Sequence, residues 1–243
     1  MLTLIKNTTL YSPKKLGTKD VLIAGKKIVA IGDNLDAFKN KEVTIFDAKG
    51  KITTPGLIDQ HIHINGAGGK QGFASMTPEI SISELIACGT TTVNGLLGTD
   101  GTARNIKSLY GKAKALEEEG ISSYIFCGYY GVDSLTVTGS IEDDMVFIDK
   151  VLGCKIAISD IRSSYPTAQE LIRKLRAVRV GGFLSQKKGI LHVHLGGLDS
   201  KLDPLFELVE KYQFPIEHIS PTHVGRTKEL FDDAIRFAKM GGL

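Results

Sequence analysis

From Pro55-Gly56 onward the chain alternates short apolar runs with longer amphipathic stretches, and this alternation constrains its fold more than any other feature. The apolar runs are Leu57–Ile64, Thr90–Leu97, Ser122–Tyr129, Cys154–Ser159, Ile190–Leu195 and His218–His223. Helical patterns lie between or after them, at Pro78–Cys88, Ala103–Glu119, Ala168–Val180, Pro204–Tyr212 and Lys228–Met240. Thr77-Pro78-Glu79 combines an N-cap, a proline at the first helical position and an early acid. Glu119-Gly120 and Met240-Gly241 set glycine where helices commonly stop. Strands alternating with helices at this spacing pair in parallel through crossover helices. A (β/α)8 barrel takes about 250 residues, roughly 31 per unit, so residues 56–243 have room for about six of its eight units. A six-stranded open doubly wound sheet fits the count equally well. Polar residues separate the two. His61 and His63, Thr99, Tyr130, Lys155, His194 and His223 fall at the C-terminal ends of successive runs. Barrels gather active-site groups there from many strands, whereas an open sheet concentrates them at one switch point. The expected fold is α/β: a TIM-type barrel over residues 56–243, incomplete at about six units, preceded by a small β domain over residues 1–55.

In that first domain, Val21–Ala24 and Ile28–Gly32 flank Gly25-Lys26-Lys27 as a hairpin, and Glu42–Asp47 gives a further short strand. So few residues cannot bury a core of their own. Thirty Lys+Arg against 27 Asp+Glu leave a formal charge of +3, too balanced to draw nucleic acid or a membrane surface. No apolar run approaches a membrane span, and the Met-Leu-Thr-Leu-Ile-Lys start lacks the layout of a signal peptide. Cys88, Cys127 and Cys154 are odd in number and fit a reducing, cytoplasmic setting.

The chemistry-bearing residues follow the same runs. His61 and His63 sit two apart on a strand, so both rings point to one side and can chelate one ion. Alone, such a pair is equally well a chance occurrence. His194 and His223, each closing a later run, change the balance. Four converging imidazoles exceed the needs of one catalytic zinc, and two divalent metal ions are the natural inference. His192 reads as a core histidine one layer deeper, and His218, at the opening of its run, as structural. Lys155 interrupts an apolar strand, where an ammonium costs several kcal/mol unless paired or neutralised. Burial lowers its pKa and makes the neutral amine accessible, which can take up carbon dioxide as a carbamate bridging two metals. Without the histidines it would read as a snorkelling lysine at a strand end.

His-x-His on the first strand, lysine on the fourth and histidines on the fifth and sixth resemble the binuclear amidohydrolase superfamily. The likeness includes Ile52-Thr53-Thr54-Pro55-Gly56-Leu57-Ile58-Asp59, which joins the small β domain to the barrel. Gly66-Ala67-Gly68-Gly69, Gly95–Asp100, Ala157–Ser163 and Pro221–Arg226 resemble the isoaspartyl dipeptidases (β-aspartyl peptidases) in particular. Dihydroorotases share the metal ligands but typically carry arginine at the position of Asn65.

The resemblance implies that His61 and His63 hold one metal, His194 and His223 a second, and carbamylated Lys155 bridges them. Zinc is the expected metal. A metal-bridging hydroxide would cleave the isopeptide bond of a β-aspartyl dipeptide. Tyr130 would donate to the oxyanion, and Arg162 and Arg226 would clamp carboxylates. Gly68, Gly69, Lys70 and Thr99 would complete the substrate site. The less specific alternatives are surface ion pairing for the arginines and rim packing for Tyr130. The family's glycine loop normally ends in glutamate, suited to an α-ammonium; here that position is Lys70. Replacing Lys155 with alanine should remove the binuclear site, with rescue by short carboxylic acids.

Other hydrolysis on the same scaffold, of cyclic amides or N-acyl amino acids, is the same-class alternative; a truncated non-catalytic chain is the other. The resemblance also implies a homo-oligomer, with a small-molecule dipeptide as the binding partner. The proton-acceptor aspartate is expected beyond Leu243, so residues 1–243 alone are expected to be inactive and to leave a gap between the first and sixth strands.

Overall fold

In a computed structural model, which describes residues 1–38 and 42–243, the chain divides into two compact units, Met1–Leu57 and Ile58–Leu243. The first unit is a mixed sheet of β1 (Leu2–Tyr11), β2 (Lys15–Ala24), β3 (Lys27–Gly32), β4 (Val43–Asp47) and β5 (Ile52–Thr53). Its order is β3-β2-β1-β4, with β5 also pairing β1. The hairpin anticipated around Gly25 is β2 and β3, paired antiparallel from Asp20 opposite Gly32 to Ala24 opposite Lys27. β4 lies parallel to β1. A small cluster of Leu4, Leu22 and Val43 is its buried apolar core.

The second unit runs β6 (Leu57–Ile62), α1 (Ile82–Ala87), β7 (Thr90–Gly95), α2 (Ile106–Glu118), β8 (Ser122–Gly128), α3 (Ile141–Phe147), β9 (Val151–Ile158), α4 (Ala168–Ser185), β10 (Ile190–Leu195), α5 (Asp203–Glu210), β11 (Ile219–Thr222) and α6 (Lys228–Lys239). The six strands form one parallel, curled half-barrel sheet in the order β11-β10-β9-β8-β7-β6, with β6 and β11 at its two edges. Alternation along each strand sorts the side chains. Ile125, Cys127, Cys154, Leu191 and Val193 join the apolar layer that includes Leu109, Leu116, Leu171, Leu175 and Phe206 of the helices. Residues of the opposite parity face the inside of the curl, where the histidines are.

Four local details depart from the sequence reading. The first helix starts at Ile82 rather than Pro78, because Ser81 and Glu84 form its cap, the Ser81 N–H donating to the Glu84 carboxylate at 2.7 Å. Thr77 is committed elsewhere, as described below. The short α3, capped by Ser140, has no counterpart in the apolar pattern. Lys155 is not at a strand end: β9 begins at Val151, and Lys155 is an interior residue paired with His192. β9 also carries one extra residue against β8, since Ile125 pairs with Val151 but Phe126 with Gly153. Finally, His218 lies in a 3-10 turn, Ile216–His218, just before β11, and its Nδ1–H donates to the Gly189 carbonyl at 2.8 Å. That is a structural role.

Candidate active site

Parallel pairing puts the ring-bearing positions side by side. His61 and His63 come from β6 and the residue after it, His192 and His194 from β10, and His223 from just beyond β11. Ring centroids are 5.4 Å apart for His61–His63, 4.8 Å for His61–His223 and 4.6 Å for His194–His223. The four histidines expected to act together are thus one contiguous group. His192 joins them: its Nε2 is 2.8 Å from Nδ1 of His61, and its ring stacks on Phe126. It is buried, as expected of a core residue, but is hydrogen-bonded to a site histidine rather than sealed off beneath it. His63 points Nδ1 at the Leu96 carbonyl, 2.9 Å away. A carbonyl can only accept, so the proton sits on Nδ1 and the Nε2 lone pair is left available. His223 has a left-handed backbone (φ 65°), which turns the chain sharply at the strand end.

Burial keeps these rings neutral. Desolvation is the leading cause that lowers His61 to about 2, His192 to about 3, and His194 and His223 to about 4, with Lys155 or a neighbouring cationic group adding to each. His63 is lowered for the same main reason. Lys155 has no accessible surface, and desolvation pushes it down to about 7. Its Nζ makes no hydrogen bond at all. A buried amine left unsatisfied costs about 1–3 kcal/mol. That expense, next to a set of neutral imidazoles, fits a position whose partner is a metal-bridging group. The rings nevertheless bond to one another and to neighbours as they stand. Among the described residues no three His, Cys, Asp or Glu side chains are arranged to hold an ion.

Above the histidines opens a cavity of about 830 Å3. Its lining brings together His63, Gly68, Gly69, Lys70, Thr99, Tyr130, Arg162 and Arg226, all anticipated from sequence; His61, Lys155, His194 and His223 lie outside the lining. Asp160, which sequence reasoning left without a role, organises one wall. It accepts from Arg162 Nε at 2.9 Å and Nη2 at 2.6 Å, and from His194 Nε2 at 2.9 Å. These donors, Arg162 first, hold its carboxyl well below the usual range. Since Nε2 of His194 donates to Asp160, its Nδ1 accepts from the Tyr130 hydroxyl at 2.9 Å. Burial is the main cause that raises the Tyr130 phenol, which therefore stays protonated and able to donate. The Arg162 guanidinium lies 5.3 Å from the centre of the Tyr130 ring. The one signal for Asp160 in the sequence is its spacing two residues before Arg162, in the loop after a strand.

The glycine loop is held from two sides. Thr77 accepts the Ala67 N–H on its hydroxyl at 2.9 Å, and its own N–H donates to the Ala67 carbonyl at 2.7 Å. Arg104 donates from Nε to the Asn65 carbonyl at 2.8 Å and from Nη2 to the Thr77 carbonyl at 3.1 Å. Gly66 sits at φ 81°, and a Cβ there would come within 2.3 Å of the Thr77 carbonyl, so only glycine lets the loop close. Neither Thr77 nor Arg104 was foreseen as a support.

No family model matches the chain. Solved structures do. The crystal structure of the beta-aspartyl dipeptidase from the thermophilic, keratin-degrading Fervidobacterium islandicum AW-1 matches with a TM-score of 0.94 and 45% identity, over all of this chain and 66% of that one. The structure of that enzyme in complex with the beta-Asp-Leu dipeptide matches with a TM-score of 0.93 and 45% identity, over all of this chain and 63% of its length. A curated dihydroorotase of Lactobacillus gasseri is 30% identical over 222 residues, 88% of this chain. The chain spans about half the length of that relative (49%). A dihydroorotase crystal structure at 18% identity and a TM-score of 0.65 shows the fold alone. Among the described residues no helix is long and apolar enough to cross a membrane. In sequence and in fold the chain resembles the beta-aspartyl dipeptidases, within the amidohydrolase superfamily.

Proposed function

We propose that this chain forms the metal- and substrate-binding part of a hydrolase that cleaves the isopeptide bond of β-aspartyl dipeptides. The observation that carries the reading is Lys155: a buried amine without a hydrogen-bond partner, beside neutral imidazoles, under a cavity edged by two arginines. His61 and His63 would hold one divalent ion and His194 and His223 a second, with Lys155 as a carbamate between them. Zinc suits this donor set, as imidazole is its usual ligand. When bound, the ions lower the pKa of a shared water and polarise the amide carbonyl. His194 would give up its contacts with Asp160 and Tyr130 in the loaded site. That release frees the Tyr130 hydroxyl to donate to the oxyanion that forms on the carbonyl. It leaves Asp160 on Arg162, holding that guanidinium over Tyr130 and facing the cavity. Arg162 and Arg226 would take the two substrate carboxylates as planar forks. The glycine loop would line the acyl portion without side-chain bulk.

The test uses the full-length protein loaded with zinc. Leucine should be released from β-Asp-Leu and not from α-Asp-Leu, and release should stop on addition of a chelator. Cleavage that persists in chelator, or that ignores the β linkage, defeats the reading. A second reading, hydrolysis of a cyclic amide, is favoured by the match to a curated dihydroorotase. Ring opening of a cyclic amide without leucine release from β-Asp-Leu would select it.

A further inference from the structure

The charges around the cavity do not match a ligand bearing a free ammonium. Three cations line it, Lys70, Arg162 and Arg226, and the only carboxylate among its described lining residues is Asp160. That carboxylate is engaged by Nε and Nη2 of Arg162, contacts it keeps when His194 turns to a metal. Lys70 and Arg226 appear in no ion pair among the described residues. Counting formal charges, three positive groups and one negative leave the cavity at +2. A β-aspartyl dipeptide brings two carboxylates and one ammonium. The ammonium would enter a lining of three cations, with its one carboxylate already held by Arg162. The same skeleton without the α-amine is an N-succinyl amino acid, which carries two negative charges and no positive one.

We propose that Lys70 sets the specificity of this cavity, disfavouring an α-ammonium and ranking dianionic N-acyl amino acids of the N-succinyl type ahead of β-aspartyl dipeptides. This rests on the amide-hydrolase reading above and changes which of its amide substrates binds best. Arg162 and Arg226 would take the carboxylates, and Lys70, on the glycine loop, is the third cation of the lining. Like-charge juxtaposition in such a cleft rejects the wrong ligand more strongly than it improves the right one. The reaction stays a hydrolysis: the amide C–N bond breaks, the water oxygen joins the acyl carbon, and a water proton passes to the leaving amine. The products are succinate and the free amino acid.

The experiment is calorimetric binding of N-succinyl-leucine and β-Asp-Leu to the full-length, zinc-loaded protein, with leucine release measured in parallel. N-succinyl-leucine should bind at least tenfold more tightly than β-Asp-Leu. Lys70→Glu should reverse that order and Lys70→Met should abolish the difference. Lys70 is exposed, so both variants should fold, and Met serves as the check if Glu does not. Equal or tighter binding of β-Asp-Leu by the unaltered protein overturns the proposal while leaving the hydrolase reading intact. A preference that survives both substitutions overturns it as well. Tight, Lys70-dependent binding of N-succinyl-leucine with no turnover of either compound upholds the selectivity and defeats the hydrolase reading instead. Failure to bind either compound defeats both.

Discussion

Lys155 shows how a single side chain can lower stability for the sake of a site. Its amine is fully buried and unsatisfied, whereas a methionine of similar length would fill the same space without a polar end. Lys155→Met should therefore stabilise the metal-free protein by about 1–3 kcal/mol, a rise of roughly 2–10 °C in melting temperature for a chain of this size. The same variant should lose the further rise that zinc gives by binding the folded state. Melting curves in chelator and in zinc read both effects; a drop in chelator would show that the amine has a partner after all. The residue stands out in the sequence because a cation in an apolar strand is anomalous, and the site histidines because they recur at strand ends. Asp160 does not stand out. Its function arises where Ser159, at φ 52°, turns the chain so that one carboxylate meets both Arg162 and His194. His192 was legible as a buried residue, but its bond to His61 depends on two strands that are not neighbours in the sheet.

At the level of elements, close approaches decide what can change. A Cβ on Gly153 would lie 1.9 Å from the Ile190 carbonyl oxygen, at the start of the β9–β10 ladder. Gly153→Ala should cost about 3 kcal/mol or more, because backbone rather than a flexible side chain must move. Urea denaturation would measure it, and a loss below about 0.5 kcal/mol would mean that the two strands separate easily, far below the overpacking range. The loop carrying Gly68 and Gly69 depends on Thr77 in a different way. Thr77→Val removes both hydroxyl contacts to Ala67, for about 1 kcal/mol, while keeping the shape. The expected signature is a severalfold rise in KM with kcat nearly unchanged, read in steady-state kinetics. Strand–helix alternation made every strand of the half-barrel legible. The helix α3 was not, because three of its seven residues are acidic and its cap lies in a polar, glycine-bearing stretch. The start of α1 was misplaced because Thr77-Pro78 has the look of a cap, while tertiary contacts to Ala67 claim the threonine.

At the scale of the whole molecule, the sheet that carries the site has two edges left unpaired among the described residues, β6 and β11. Leu57 and Ile58 on β6 are 60% and 65% exposed. A polypeptide of residues 1–243 alone should associate through these edges, since parallel strands with free N–H and C=O groups recruit further strands. Light scattering on that polypeptide should give a mass above the monomer's 26.3 kDa, rising with concentration; a monodisperse monomer would show that the edges are protected. The extra residue in β9 has a further consequence at this scale. Val151 shares the outer, helix-facing layer with Ile125, yet Lys155, four positions on, faces inward beside His192. With strict alternation, positions four apart share a face, so the one surplus residue reverses in and out for everything that follows it in the strand. The placement of the lysine is therefore a matter of odd and even numbers rather than of its neighbours' chemistry. Deleting Leu152 would take out the surplus residue together with the irregularity and leave Lys155 three positions after Val151, still facing inward, whereas deleting Cys154 would keep the irregularity and turn the amine out among the helices; single-residue changes of length in the loops between elements would leave it in place.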